Sequence, residues 1–183
     1  MRYFPILGLT LVACCLFFWN STSETKSSPV DDTTIEWLSW EEAMTRMASQ
    51  PKKVFVDVYT DWCGWCKRMD ASTFVDPAVV KQMNEHFYAV KLDAEQKENI
   101  LYDNHTFTYR SDVGRRGVHE LAVALLDNRM SYPSFVYLDE NRNRITISPG
   151  YKEAAAMDLE LQFIGEDHFK TTSFDDFKLS QGK

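Results

Sequence analysis

Thr60-Asp61-Trp62-Cys63-Gly64-Trp65-Cys66-Lys67 is the stretch of the chain in which residue type and spacing together specify a chemistry. Two cysteines separated by two residues can close a small disulfide ring or hold a metal ion, and the flanking residues decide which. The preceding residues, 53–59, are nearly all apolar and rich in β-branched side chains, which is typical of a strand buried on both faces. Residues 67–72 contain helix formers and no helix breaker. The cysteines are therefore predicted to lie where a strand is followed by a helix.

The composition indicates one globular domain with an acidic surface. The chain has 183 residues, of which 44% are hydrophobic and 14% aromatic, so it can form a sizeable core. Its formal net charge is -7 at pH 7. Because such a surface repels phosphate backbones, we expect no nucleic-acid partner.

The N-terminal residues 1–23 have the pattern of an export segment. Arg2 is followed by an uncharged, mainly apolar stretch at 3–19 and then by small polar residues. This pattern predicts an extracytoplasmic protein, located in the bacterial periplasm or anchored facing it.

Three fates of the export segment are compatible with its sequence. Cleavage after Ser23 would release the protein, whereas retention of residues 1–19 would leave a membrane tether. Leu11-Val12-Ala13-Cys14 resembles a bacterial lipobox, in which Cys14 would be acylated. Residues 24–34 are rich in Ser, Thr, Asp and Glu and are predicted to form a flexible linker. The domain is predicted at 35–170, followed by a C-terminal tail at 171–183.

The pattern of residues within the domain predicts alternating helices and strands. Helices are expected at 40–50, from 67 to 72, at 77–83, at 118–126 and at 152–169. Strands are expected at 54–59, 87–93, 134–138 and 144–148, the last two as a hairpin. No regular structure is predicted for 94–117. Since a helix separates the first two strands, they should be parallel, and the fold class is α/β with a mixed central sheet flanked by helices.

Two motifs in this order of elements resemble the thioredoxin family. They are Trp62-Cys63-Gly64-Trp65-Cys66-Lys67 at the first strand-to-helix junction and Tyr132-Pro133 before the hairpin. The resemblance covers about residues 36–169 and is greatest to exported bacterial members with an enlarged segment before the proline. It implies the thioredoxin fold and a thiol-disulfide oxidoreductase activity.

The position of the two cysteines suggests different roles for them. A thiolate at a helix N-terminus faces unpaired backbone N–H groups and the positive end of the helix dipole, which lowers the pKa of the thiol. Cys63 occupies that end, and Cys66 lies one turn further on, where it should be better shielded. Cys63 is therefore expected to attack a substrate disulfide, and Cys66 to resolve the mixed disulfide.

A zinc site and a purely structural disulfide are the alternatives for this pair. Structural zinc usually takes four protein ligands, but the other cysteines, Cys14 and Cys15, lie in the export segment. A ring as small as Cys63–Cys66 adds little stability, because stabilisation grows with the loop closed. We therefore expect no metal and no cofactor other than a redox-active Cys63–Cys66 disulfide.

Asp57 is the second informative residue, because an acid within a buried strand costs free energy unless it is paired or has a function. In the thioredoxin pattern, an acid six residues before the first cysteine lies beneath the disulfide and helps to move the proton of the resolving thiol. Asp57 stands at that spacing, and Lys91 matches the lysine that pairs with this acid. The alternative is an exposed Asp57 and a Lys91 side chain that extends to solvent.

The resemblance also implies a substrate-binding surface around the disulfide. Its candidate residues are Trp62, Gly64, Trp65, Tyr132, Pro133 and Gly150. Pro133 matches the cis-proline of the family, whose preceding residue binds substrate backbone as an added strand would. Ordinary packing is the alternative for the two tryptophans. Outside this surface, Arg115 and Arg116 are interpreted as a solvated turn, and His119 as a core or helix-surface histidine.

The leading functional hypothesis is an extracytoplasmic reductase or isomerase. It would be supplied by a membrane electron donor and would act on the thiols or disulfides of exported proteins. Trp65 stands where cytosolic thioredoxins commonly have proline, so the direction of electron flow is left open. A disulfide-installing oxidant is therefore an alternative. A binding module with incidental cysteines is another.

Overall fold

The computed structural model of the chain describes residue 1 and residues 33–182. The predicted export segment, the Cys14 acylation site and most of the predicted linker lie outside the described residues. Of the helices that the structure describes, none combines the length and the apolar character that a bilayer crossing requires.

Nine strands and six α-helices form the described part of the chain. The strands are β1 Trp37–Leu38, β2 Lys53–Tyr59, β3 Phe87–Asp93, β4 Ile100–Tyr102, β5 His105–Phe107, β6 Tyr109–Arg110, β7 Val118–His119, β8 Ser134–Leu138 and β9 Arg144–Pro149. The helices are α1 Trp40–Ser49, α2 Gly64–Ala71, α3 Pro77–His86, α4 Glu120–Leu125, α5 Ala154–Gly165 and α6 Phe174–Ser180. Short 3-10 turns lie at Thr73–Val75 and His168–Lys170.

A five-stranded mixed sheet forms the centre of the fold, in the order β1-β3-β2-β8-β9. β1 and β2 run parallel to β3, whereas β8 is antiparallel to β2, and β9 is antiparallel to β8. The predicted parallel crossover and C-terminal hairpin are thereby confirmed. The α/β class with a mixed sheet flanked by helices is confirmed as well.

β2 is buried on both faces, as its sequence predicts. Val54, Val56 and Val58 point into one core cluster, which α1 and α4 complete. Phe55 points into a second cluster on the opposite face, which is formed with residues of α2, α3 and α5. Because β2 lies between two cores, the loop after it has a fixed position.

The residues predicted to begin α1 and α3 cap these helices in the structure. The Ser39 side chain accepts a hydrogen bond from the Glu42 N–H, and the Glu42 carboxylate accepts one from the Ser39 N–H, which completes a capping box. At α3, Asp76 caps the helix and Pro77 occupies its first turn.

Residues 94–119 contain more strand than the sequence predicts. β4 and β5 form a small hairpin, and β6 pairs with β7 in register Tyr109↔His119. The prediction of a helix from Val118 is wrong for its first two residues, because their backbone pairs with β6 instead. The helix begins at Glu120, with His119 Nδ1 accepting a hydrogen bond from Leu121 N–H at 3.3 Å. His119 is fully buried, in agreement with a core histidine.

The C-terminal region also departs from the prediction. The last predicted helix, 152–169, is shorter in the structure, because α5 ends at Gly165 and a 3-10 turn follows. The predicted tail contains α6, in which Phe177 is buried and packs on Phe163 with 5.4 Å between ring centroids. The Ser173 side chain caps this helix by accepting a hydrogen bond from the Asp176 N–H, a local signal that the prediction of a tail did not use.

Candidate active site

Cys63 and Cys66 form a disulfide at the N-terminus of α2. The S–S distance is 2.11 Å and the two Cα atoms are 5.3 Å apart. Cys63 is the N-cap residue, and its Sγ accepts a hydrogen bond from the Cys66 N–H at 3.1 Å. The predicted strand-to-helix junction is confirmed, and Cys63 Sγ lies where the unpaired N–H groups of a helix stabilise negative charge.

The two sulfur-bearing residues differ little in burial. Cys63 is 4% exposed and Cys66 is 2% exposed. The expected better shielding of Cys66 is therefore small in this oxidised state. Their positions on the helix distinguish them more clearly, since only Cys63 lies at its capping position.

Asp57 and Lys91 face each other across neighbouring strands. They are register partners in the β2–β3 ladder, and Lys91 Nζ donates to Asp57 Oδ2 at 2.7 Å. Asp57 is 1% exposed, which rules out the alternative of an edge position. The pair that the resemblance implies is thus present in the structure.

The environment of Asp57 makes its carboxylate easier to protonate than an exposed one. Burial raises the pKa of Asp57 to about 6, although the Lys91 ammonium opposes the rise and the Asp70 carboxylate adds to it. Asp57 Oδ1 is buried and has no hydrogen-bond partner within residues 33–182. A carboxylate with one free oxygen and a pKa near neutrality can accept and return a proton.

Asp70 is a site residue that the sequence analysis missed. Lys91 Nζ also contacts Asp70 Oδ1, so one ammonium bridges a buried carboxylate of β2 and a half-exposed carboxylate of α2. Burial lowers the pKa of Lys91, but the two carboxylates outweigh burial and the net direction is upward. The only available signal was an acid one helical turn after Cys66, and such an acid looks like an ordinary surface residue.

Three aromatic rings also lie close to the Lys91 ammonium. Lys91 Nζ lies 4.8 Å from the ring centroid of Trp37, 5.1 Å from that of Tyr59 and 5.3 Å from that of Phe74. Contacts of a cation with aromatic faces favour its charged form. Lys91 is therefore held as a fixed cation between Asp57 and Asp70.

Pro133 and Gly150 lie together beside the hairpin. The Tyr132–Pro133 peptide bond is cis, as the resemblance implies. Gly150 N–H donates to the Pro133 carbonyl at 2.8 Å, and its φ of +94° lies in a region that favours glycine. A backbone hydrogen bond thus brings together Pro133 and Gly150, two of the predicted surface residues.

Both tryptophans of the motif are exposed, at 52% for Trp62 and 54% for Trp65. Trp62 packs edge-on against Tyr132 with ring centroids 5.8 Å apart, and its indole N–H donates to Glu95 Oε1 at 2.8 Å. Trp65 contacts Tyr151 at 5.0 Å between ring centroids. Core packing therefore does not account for either side chain, and their role as an apolar platform around the disulfide stays a prediction.

Gly64, the remaining candidate, is the first residue of α2. A Cβ atom at this position would meet nothing within 4 Å. Its role is therefore not set by the packing of the protein itself. No group of three or more His, Cys, Asp and Glu side chains in the described part of the chain could hold a metal ion.

The chain is similar to a known protein family and to several curated proteins. The Thioredox_DsbH family, described as a protein of unknown function (DUF255), matches residues 22–155. The thiol:disulfide interchange protein DsbD of Haemophilus ducreyi is 25% identical over 147 residues, which cover 78% of this chain and 22% of that protein. The chain thus spans about a fifth or less of the length of the curated relatives it matches.

Solved structures resemble the fold of the described domain. A DsbH oxidoreductase superposes with a TM-score of 0.53 and 16% identity, covering 78% of this chain and 92% of that one. A thioredoxin-fold protein from Helicobacter pylori superposes with a TM-score of 0.54 and 16% identity, covering 84% and 89% of the two chains. These likenesses show the thioredoxin fold. With the match to residues 22–155, they establish that the chain belongs to the thioredoxin-like DsbH (DUF255) family.

Proposed function

We propose that the protein is an extracytoplasmic thiol-disulfide oxidoreductase of the reductase or isomerase type. The observation that carries the proposal is a disulfide at a helix N-terminus, with a buried proton acceptor on the sheet face that the same helix covers. Similarity to a protein named as a thiol:disulfide interchange protein supports it.

The first step would use Cys63. In the reduced protein, the Cys63 thiolate attacks one sulfur of a substrate disulfide, forms a mixed disulfide and releases the other substrate sulfur as a thiolate. The N–H groups at the start of α2 favour the thiolate form of Cys63 before the attack.

The second step would use Cys66 and Asp57. The Cys66 thiol transfers its proton to Asp57, and the resulting thiolate attacks Cys63 Sγ, which restores the Cys63–Cys66 disulfide and releases the second substrate sulfur. Two electrons pass from the protein dithiol to the substrate. Lys91 stabilises the ionised Asp57 from which this cycle starts, and burial makes Asp57 basic enough to take the proton.

The location and the electron supply are proposed from the N-terminal sequence. An export segment at residues 1–23 would deliver the domain outside the cytoplasm, tethered or released. Substrates would be exported proteins with thiols or disulfides, and a membrane dithiol donor would return the protein to its reduced state. A reduction potential near that of strong disulfide oxidants would instead assign the reverse direction of electron flow.

Trapping of the mixed disulfide tests the assignment of the two cysteines. The Cys66→Ser variant of the full chain should accumulate adducts with substrate proteins that dithiothreitol releases, because the resolving thiol is missing. The Cys63→Ser variant should form none and should fail to reduce insulin. Mass spectrometry of the adducts is the measurement, and insulin reduction that survives Cys63→Ser would contradict the catalytic assignment.

The buried Asp57 carboxylate should lower the free energy of unfolding of the protein at neutral pH. In the unfolded chain it ionises near its ordinary pKa of about 3.9, whereas the folded protein keeps it protonated up to about pH 6. Stability is therefore lost as pH rises between these values. Asp57→Asn should unfold at higher urea concentration than the unsubstituted protein at pH 7.5, by a free energy on the order of 1–3 kcal/mol.

This gain should shrink towards zero at about pH 3, below both pKa values, where Asp57 is protonated in the folded and in the unfolded state. Glu85→Gln, which removes an exposed carboxylate on α3, is the matched control and should give no such pH-dependent gain. An Asp57→Asn variant that is equally stabilised or destabilised at both pH values would contradict this account of the buried charge.

Asp70 should set the pH range in which Cys66 resolves the mixed disulfide. In Asp70→Asn, Lys91 pairs with Asp57 alone and a neighbouring negative charge is removed, so the pKa of Asp57 falls. The rise of the resolution rate with pH should move to lower pH by about half a unit to one unit. Stopped-flow measurement of intramolecular resolution gives the profile. An unchanged profile, equal to that of Glu85→Gln, would exclude Asp70 from this role.

A further inference from the structure

A groove of about 710 Å³ opens beside the disulfide. One wall is formed by Trp62 and Tyr132, the residues that directly precede Cys63 and the cis-proline. The lining also includes Val113 to Gly117 of the loop between β6 and β7, residues 111–117, which belongs to the enlarged segment before the proline. The groove therefore meets the surface where a substrate disulfide would have to lie.

The β6–β7 loop has a fixed position. Its two ends are joined by the ladder between β6 and β7, and the Tyr109 hydroxyl donates to the Arg116 carbonyl. Gly117 has a φ of +77°, and a Cβ atom there would lie 2.1 Å from Tyr109 Oη. Only glycine leaves room for the Tyr109 side chain to reach across the loop. These contacts fix the backbone of the loop at Arg116.

The charges of this loop differ from those of the rest of the chain. The chain carries a formal net charge of -7, yet Arg115 and Arg116 project from the loop at the groove and are exposed. Neither has a carboxylate within salt-bridge distance in the described residues. Arg110 of the same hairpin, by contrast, is paired with Asp112 and Glu120. The hairpin thus neutralises one arginine and leaves two available.

The surroundings of the two arginines leave room for an anionic partner. The Arg116 guanidinium lies 5.6 Å from the Trp62 ring centroid, which orients it over the platform beside Cys63. Glu95 is the carboxylate that lines the groove, and its Oε1 already accepts from the Trp62 indole. Val113 of the β6–β7 loop, which is 41% exposed, and Met130 add apolar surface to the groove.

We propose that this groove binds a segment of disulfide-bearing protein substrates that carries a carboxylate and an apolar side chain next to the reacting cysteine. The carboxylate would pair with Arg115 and Arg116, whose planar guanidinium groups suit bidentate contact, and the apolar side chain would lie on Val113, Met130 and Tyr132. This inference rests on the proposed function, because it names the substrate class of the same site. It also replaces the interpretation of Arg115 and Arg116 as a solvated turn.

Two synthetic peptide disulfides that differ in one residue test this proposal. In one peptide, Leu and Glu flank the cysteine, and in the other Gln replaces Glu. Single-turnover reduction by the pre-reduced full chain is followed at increasing peptide concentration, which separates the apparent dissociation constant from the limiting rate. We expect the Glu peptide to bind about 10-fold more tightly than the Gln peptide at low salt, with similar limiting rates and a preference that added salt weakens.

The double variant Arg115→Gln/Arg116→Gln should lose most of this preference. Arg142→Gln is the matched control, because Arg142 also lacks a salt-bridge partner in the described structure but lies in the hairpin turn between β8 and β9, at the opposite end of the sheet. It should keep the preference. Equal affinity for both peptides in the unsubstituted protein, or an equal loss for both in the double variant, would overturn the inference.

A small neutral disulfide, such as dithiodiethanol, separates this inference from the proposed function. Its reduction should depend on Cys63, and it has no carboxylate that could pair with Arg115 or Arg116. If dithiodiethanol and both peptides are not reduced at all, the proposed function fails. If they are reduced through Cys63 with no preference for the Glu peptide, only the groove assignment fails.

Discussion

The start of α2 is the constraint on which the rest of the site depends. Its first N–H groups have no partner within the helix, and Cys63 Sγ already accepts one of them, from Cys66. A negative charge on this sulfur is favoured without any cation in contact. Because β2 is buried on both faces, the end of the strand and the start of the helix hold this sulfur in place.

In the proposed mechanism Cys66 loses a proton, and Asp57 of the central sheet is the candidate acceptor. Asp57 lies in the same strand that ends at the motif, and burial makes it a better base than an exposed carboxylate. Lys91 keeps that carboxylate from being an isolated buried charge, and Asp70 holds Lys91 from the helix side. One ammonium thus links strand β2 to helix α2 through Asp57 and Asp70.

Much of the fold and of the site could be predicted from local signals and from the family resemblance. The buried run at β2, the cap at Ser39 and the spacing of Asp57 before Cys63 are visible in sequence. Features that depend on distant partners were not visible. Val118 and His119 pair with β6 rather than joining the helix, and Phe177 of α6 packs on Phe163 of α5. Asp70 was not predicted because its partner, Lys91, is far away in sequence. An acid on an exposed helix face is common and gives no signal of such a contact.

The central claim is that the N-terminus of α2 makes Cys63 the nucleophile. Alkylation of the reduced protein with iodoacetamide as a function of pH, with each cysteine followed by mass spectrometry, tests it most directly. The account predicts that Cys63 reacts first, with a pKa below the value of about 8.5 for an unperturbed thiol, and that Cys66 reacts only at higher pH. Faster alkylation of Cys66, or a Cys63 pKa at or above that of a free thiol, would contradict it.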